Sequence, residues 1–333
     1  MARAHGGIAP LILRPLADAG VQLDCLLARA SCAVLTDDDA PVMLAFSGGA
    51  DSSALLALAV RAGRPVHAVH VDHGLRPDSA TDAARATSAA MMLGATSARS
   101  MRVSIEPGGN VEERARDARH EALEHARDER GAQFVLFGHT LDDQAETVLL
   151  AVLRGSGITG LSAMAARRGA MVRPLLDVRR SETRELCSVL GVDVIDDPMN
   201  HDRRIERVWL REELLPTLSA RTGRDLGPVL ARQAARIAEE SEYLDRAAAE
   251  ALRAAGDTPA ARALAGLDRV ILRRALRRLV GPPWIGGGAV DAAVEVVMGA
   301  RKAVELPRGR TLVRRDGNLA VERASDPSGT VRT

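Results

Sequence analysis

Three clusters of polar residues in this chain have the types and spacing to do chemistry. The first is Ser47-Gly48-Gly49-Ala50-Asp51-Ser52-Ser53. Glycines let a backbone turn sharply and approach a ligand closely. N–H groups exposed at a helix start, with the hydroxyls of Ser47, Ser52 and Ser53, make a pocket for phosphate oxygens. The plainer reading is a tight turn with Asp51 or Ser52 as a helix cap. An apolar run precedes the cluster and an apolar helical pattern follows it, which favours phosphate. The second cluster is His70-Val71-Asp72-His73-Gly74-Leu75-Arg76. Asp72, His73 and Arg76 suit a nucleotide or a metal. A zinc site from His70, Asp72 and His73 is the alternative, but the spacing matches no standard set. The plain reading is a polar strand-to-loop junction. The third cluster runs from Gly138-His139-Thr140 through Asp142, Asp143 and Glu146 to Thr147. Asp143 and Glu146 are three apart and share one helix face. Paired carboxylates beside phosphate hold magnesium or the ammonium of an amine substrate. An acidic first helical turn, favoured by the dipole, accounts for Asp142 and Asp143 better than for Glu146 and His139.

Each cluster needs a strand to deliver it. Pro41–Phe46, Val66–Val71 and Gln133–Gly138 are short apolar runs of the kind buried in parallel sheets. Arg99–Ser104 and Met171–Pro174 are weaker strands. Helical patterns fall between them, over Asp51–Ala62, Ser79–Leu93, Val111–Arg130, Asp142–Leu153 and Ser181–Leu190. This alternation predicts an α/β fold, a doubly wound parallel sheet with helices on both faces. Ligands of such sheets bind beyond the carboxyl ends of the strands, where all three clusters lie. After about Pro216 the character changes. Leu226–Ala255, Val270–Val280 and Asp291–Met298 read as helices. Val304–Leu306, Thr311–Arg314 and Leu319–Glu322 read as short strands around Asp316-Gly317. We expect a catalytic domain over residues 1–220 and a smaller, mainly helical domain over 221–333.

Composition narrows the chemistry. Of 333 residues, 46% are apolar and only 2% aromatic, so the core rests on aliphatic side chains. The formal net charge is +1, so a nucleic-acid partner must be met by local patches. Lys302 is the only lysine. That excludes a phosphate-loop NTPase, which needs a lysine in its glycine loop, and Schiff-base chemistry. Cys25, Cys32 and Cys187 form no Cys-x-x-Cys pair, which fits a reduced, cytoplasmic protein. No leader pattern and no 18-residue apolar stretch is present, so no membrane association is expected.

The first cluster resembles the pyrophosphatase loop of the ATP-pyrophosphatase (PP-loop) enzymes, whose sheet is adenine nucleotide α-hydrolase-like. Those enzymes cleave ATP between its α- and β-phosphates and transfer AMP to a substrate oxygen. The segments VDHGLRPDS, GHTLDDQAETVLL, LRGSGITGL, RPLLDVRRSE and DDPMN together resemble the tRNA(Ile)-lysidine synthase family over about residues 40–220. The resemblance implies that Ser47, Gly48, Gly49, Ala50, Asp51 and Ser52 hold ATP phosphates, with Asp51 near magnesium. It adds Asp72, His73, Gly138 and His139 to the ATP site. Asp143 and Glu146 would bind the lysine ammonium or a metal, and Arg116 and Arg119 would face the nucleotide or the activated base. Asp51, Asp143, Glu146 and Arg116 form the expected catalytic set. Arg203, Arg204, Arg207 and Arg211 would grip tRNA. Arg273, Arg274, Arg277 and Arg278 form a second basic cluster, either a tRNA contact or a solvated helix face. The implied partners are ATP, magnesium, free L-lysine and a tRNA(Ile) with a CAU anticodon. The oligomeric state is left open, a homodimer among the options. Met199, Ile205 and Val208 depart from the family pattern. Two rival functions are a tRNA-thiolating relative and a non-catalytic nucleotide- or RNA-binding protein.

Overall fold

In a computed structural model of the chain, residues 20–30, 40–72, 74, 79–103, 111–196, 198–282 and 285–323 are described. His73 and Leu75–Arg76 of the second cluster lie outside them. The chain divides into two compact units, residues 1–235 and 236–333. The division falls inside the helix Leu226–Ala255, later than the change in composition near Pro216 had placed it.

The first unit is built on a six-stranded sheet. Its strands are β1 (Val42–Ala45), β2 (Val66–Asp72), β3 (Ser97–Arg102), β4 (Val135–Leu136), β5 (Arg167–Arg168) and β6 (Met171–Val172), in the order β3-β2-β1-β4-β6-β5. β3, β2, β1, β4 and β6 run parallel. The parallel, doubly wound sheet is as expected, and β5 adds an antiparallel strand beside β6 at its edge. It is two exposed arginines with no apolar pattern to announce it.

Strand alternation explains the layers. Val42, Leu44 and Phe46 face one core with the helices α1 (Gly20–Arg29), α2 (Ala50–Arg61) and α3 (Ser79–Met92). Met43 faces the other, with Leu123 and Ala126 of α4 (Val111–Glu129). α2 is apolar almost all round because it lies between the sheet and α7 (Arg180–Val189), whose Leu186 and Cys187 join the same core. α5 (Leu141–Leu153) follows β4, and α6 (Ile158–Leu161) is a single turn. The chain then makes α8 (Glu206–Trp209), a π turn over Leu210–Leu214, and α9 (Leu215–Thr222).

α10 is the helix Leu226–Ala255, whose bounds match the sequence pattern. The second unit holds α11 (Ala261–Ala265), α12 (Arg269–Val280) and α13 (Gly287–Met298), packed on an antiparallel sheet of β7 (Ala303–Leu306), β8 (Arg310–Arg315) and β9 (Asn318–Arg323). α13 starts at Gly287, not Asp291, with Gly286 as its N-cap. Within the basic cluster of α12 the four arginines separate. Arg274 is buried and donates to the Ser241 carbonyl and hydroxyl and to Asp245, so it is a packing residue. Arg273 pairs with Asp291 at 2.6 Å. Lys302 is exposed just ahead of β7, its carbonyl accepting the Arg314 N–H.

Candidate active site

The sheet reverses its winding between β1 and β4, and the crevice at their carboxyl ends is where ligands of such sheets sit. The phosphate-type turn leaves β1 there, and Gly138-His139-Thr140 leaves β4. The two come very close. A Cβ added at Gly138 would stand 3.0 Å from the backbone of Asp51 and Ser52. Gly48 has φ +82°, and a Cβ there would meet Ile195 Cδ1 at 2.6 Å. The Ile195 N–H donates to the Gly48 carbonyl at 3.0 Å, so the turn rests on the chain after α7. Gly138→Ala should therefore lower stability by about 1–3 kcal/mol, the range for overpacking, read from the denaturant midpoint.

Hydroxyls organise the turn from inside. Ser52 donates to the Gly49 carbonyl at 3.0 Å, and the Ser47 and Ser52 hydroxyls are 3.1 Å apart. Ser47 Oγ also accepts the Gly49 N–H at 3.2 Å. The Ser53 hydroxyl is buried and unpartnered. Asp51, in the first turn of α2, accepts a hydrogen bond from Thr183 and stands 3.6 Å from Arg180 Nε. Burial pushes its carboxyl above the ordinary 3.8, against the pull of Thr183 and Arg180.

Three acids of α5 take three different tasks. Asp142 accepts the Arg180 backbone N–H at 2.7 Å and so caps α7. Asp143 accepts both the N–H and the hydroxyl of Thr140 at 2.8 Å, and Arg180 at 2.7 Å. Both acids thus hold a helix start together, beyond the dipole preference expected of an acidic first turn, and Asp143 also contacts Arg180. Glu146 caps nothing. It is 1% exposed, with Arg180 at 2.9 Å, Arg207 at 3.5 Å and Arg211 at 3.9 Å. Burial raises Glu146 above the ordinary 4.5 although Arg180 opposes the shift. For Asp143, Arg180 and the Thr140 hydrogen bonds overcome burial and hold it below 3.8. Burial would lower Arg180, but Asp143 and Glu146 raise it, so this guanidinium is permanently charged.

Arg180 was not among the residues singled out from sequence, yet it joins Asp51, Asp143 and Glu146. A signal existed. Arginine in the first turn of a helix opposes the dipole and needs carboxylate company. Arg207 and Arg211 turn inward to Glu146, while Arg203 and Arg204 are exposed and pair with Glu212, Glu213 and Asp202. The four expected tRNA arginines therefore do not share one surface role.

A second group lies across α4. Arg116 is exposed and Arg119 half-buried, its Nε unpartnered. Burial and Arg116 lower Arg119 and Arg173, and burial with these arginines lowers His120 to about 4. His139 stacks on Phe137 and is also lowered to about 4, chiefly by burial. Both imidazoles are neutral at pH 7, beside guanidinium groups with no carboxylate hydrogen-bonded to them among the described residues. Asp72 is buried; burial alone would raise it, but hydrogen bonds from Gly74 N–H and Ser79 hold it below 3.8. Among the described residues no group of three His, Cys, Asp or Glu could hold a metal, and the zinc alternative of His70, Asp72 and His73 includes a residue outside them.

Two cavities flank the turn. One, about 330 Å³, is lined by Ser47, Gly49, His70, Asp72, Arg119 and Asn200 among others. The other, about 460 Å³, is lined by Asp142, Glu146, Arg180, Arg184, Arg211 and Glu212 among others. No residue lines both.

Comparison with known proteins agrees with this geometry. A family model described as a PP-loop domain matches residues 23–218. The chain is 42% identical to the tRNA(Ile)-lysidine synthase of Mycolicibacterium paratuberculosis (strain ATCC BAA-968 / K-10) over 84% of its own length and 85% of that protein's. It is 40% identical to the tRNA(Ile)-lysidine synthase of Salinispora arenicola (strain CNS-205), covering 85% and 91%. Among solved structures it resembles a U34-tRNA thiolase from Methanococcus maripaludis with TM-score 0.55 over 66% of this chain and 78% of that one. At 17% identity that likeness speaks to the fold alone.

Proposed function

The chain belongs to the tRNA(Ile)-lysidine synthase family of PP-loop proteins, and from that premise we propose how its residues carry out the family's reaction. ATP lies in the cavity beside the turn. Ser47, Gly48, Gly49, Ala50 and Ser52 hold its β- and γ-phosphates, and Asp72 and His139 border the nucleoside side. The carbonyl oxygen at carbon 2 of the wobble cytidine of tRNA(Ile) attacks the α-phosphorus. The α–β bridging bond breaks and pyrophosphate leaves. The ε-amine of free L-lysine then attacks carbon 2, the carbon–oxygen bond breaks, and AMP departs with that oxygen. Adenylation has made a poor leaving group a good one, and the amine's surplus proton passes to solvent or a neighbouring base. Holding both reactants in register supplies much of the rate.

Asp143 and Glu146 hold the lysine ammonium. Arg116 and Arg119, rich in uncompensated charge, receive the α-phosphate or the tRNA backbone near it. Arg203 and Arg204, exposed beside the site, are the tRNA contacts we favour from the first cluster, with Arg277 and Arg278 of the second unit as outlying ones. A magnesium ion fits beside Asp51, since one carboxylate with phosphate oxygens and water is how this ion is commonly held. When bound it neutralises charge on the departing pyrophosphate. No described helix is long and apolar enough to cross a membrane, and a tRNA-modifying reaction places the enzyme in the cytoplasm.

The observation that carries this reading is the meeting, at one sheet edge, of a phosphate turn and a buried carboxylate with no capping duty. Its test is turnover with labelled L-lysine and a CAU-anticodon transcript. Label entering the RNA only when ATP is present is the expected result; pyrophosphate release without label in RNA would contradict it.

The thiolating alternative is weak on chemistry. Cys187 donates to the Ala50 carbonyl from within the core, and burial pushes its thiol up to about 12, so almost no thiolate forms. A variant with Cys25, Cys32 and Cys187 all changed to Ala should keep lysine incorporation within about fivefold of the parent, once assayed at a temperature where it is folded. Loss of turnover in a folded triple variant would revive a cysteine mechanism.

A further inference from the structure

The acidic cluster proposed for the amine is already filled by a cation of the protein's own. Arg180 spans it, with Nε 3.6 Å from Asp51, one terminal nitrogen 2.7 Å from Asp143 and the other 2.9 Å from Glu146. Its side chain is 14% exposed. Glu146 faces three guanidinium groups in all. A fourth cation cannot approach such a carboxylate favourably unless one of them withdraws.

The three differ in what holds them: Arg180 makes the closest charge-assisted contacts, and all of its side-chain partners are acids that an arriving ammonium could take over. Arg207 is held by the Thr147 hydroxyl at 2.8 Å and Arg211 by the Asn200 carbonyl at 2.6 Å. The Arg180 side chain is held by the acids alone. Its backbone is pinned independently, by Asp142 on its N–H, so the stem can swing while α7 stays in place. Its position also partitions the site. Glu146 and Arg180 line the larger cavity, Ser47 and Gly49 line the smaller one, and Asp51 and Asp143 line neither.

We propose that Arg180 is a displaceable counter-ion, a gate of one guanidinium that holds the amine site until nucleotide phosphates draw it away and lysine's ammonium takes its place. The proposal rests on the assignment of Glu146 and Asp143 to the amine. ATP supplies the new anionic partner, so nucleotide binding opens the amine site. Arg180 is in this sense a positioning residue for the order of substrate arrival.

Calorimetric titration of L-lysine into the full chain tests it, with and without the non-cleavable α,β-methylene analogue of ATP. In the parent protein the analogue should strengthen lysine binding roughly tenfold or more, the worth of one charge-assisted pair. Arg180→Met should bind lysine tightly without nucleotide and show no further gain with it. Arg180→Lys, whose single ammonium cannot span three acids, should lie between and covers the event that the Met variant fails to fold. Equal or weaker lysine binding in folded Arg180→Met, or an undiminished response to the analogue in either variant, would overturn the gate. Glu146→Gln separates this from the underlying reading. It should bind lysine poorly in every condition, and normal binding there would refute the amine assignment itself.

Discussion

Asp51→Ala should cut pyrophosphate release from ATP in the presence of tRNA and lysine by about a thousandfold or more, while the far-ultraviolet circular dichroism of the protein stays unchanged. The magnitude follows from removing a charge-organising group at the point where the pyrophosphate charge develops. The position leaves little room for substitution. Asp51 sits in the first turn of α2, its carboxylate held between Thr183 and Arg180. No other carboxylate of the turn stands ready to replace it. Folding should survive, because burial already disfavours this charge. A group raised on folding contributes stability below its unfolded value and loses it as pH rises, so removing Asp51 relieves a cost at neutral pH. Normal pyrophosphate release from the variant would break the assignment of the turn to ATP.

Glu146→Gln should raise the lysine KM by roughly ten- to a hundredfold, the range for hydrogen bonds to charged groups. The same residue gives a pH signature. Only the ionised carboxylate attracts an ammonium, and burial raises Glu146 above 4.5. Lysine KM should therefore rise as pH falls, beginning at a higher pH than an ordinary glutamate would allow. Asp143, held below 3.8, stays ionised throughout that range and adds no step. A lysine KM unchanged from pH 7 to pH 5, measured as label incorporated into RNA, would speak against Glu146 as the amine's partner.

Much of this architecture was legible because its signals are local. Apolar runs such as Val42–Ala45 cannot be anything but buried, and glycines mark where α3, α4 and α5 stop. The tight turn after β1 was readable for the same reason: two glycines and three hydroxyls act over a few residues. What was not legible is what depends on distant pieces meeting. Arg180 joins Asp51, Asp143 and Glu146 only because α7 packs on α2 and brings its first turn against that of α5. The doubling of Asp142 and Asp143 as helix caps is hidden in the same convergence. Arg207 and Arg211 read as tRNA contacts in the sequence, whereas α8 and the π turn after it bring them to Glu146. The edge strand Arg167–Arg168 has no side-chain pattern at all and exists through its pairing with Met171–Val172.

The solitary side-chain amine at Lys302 has a practical consequence. It stands in the open ahead of β7, in the C-terminal unit, while the catalytic unit carries no lysine whatever. Acylating reagents run at alkaline pH can reach, besides the chain's α-amino group, this one side chain. A dye or biotin installed there leaves every arginine and carboxylate of the reaction centre chemically intact. The enzyme thus comes with one side-chain handle for tethering and fluorescence, outside the catalytic unit.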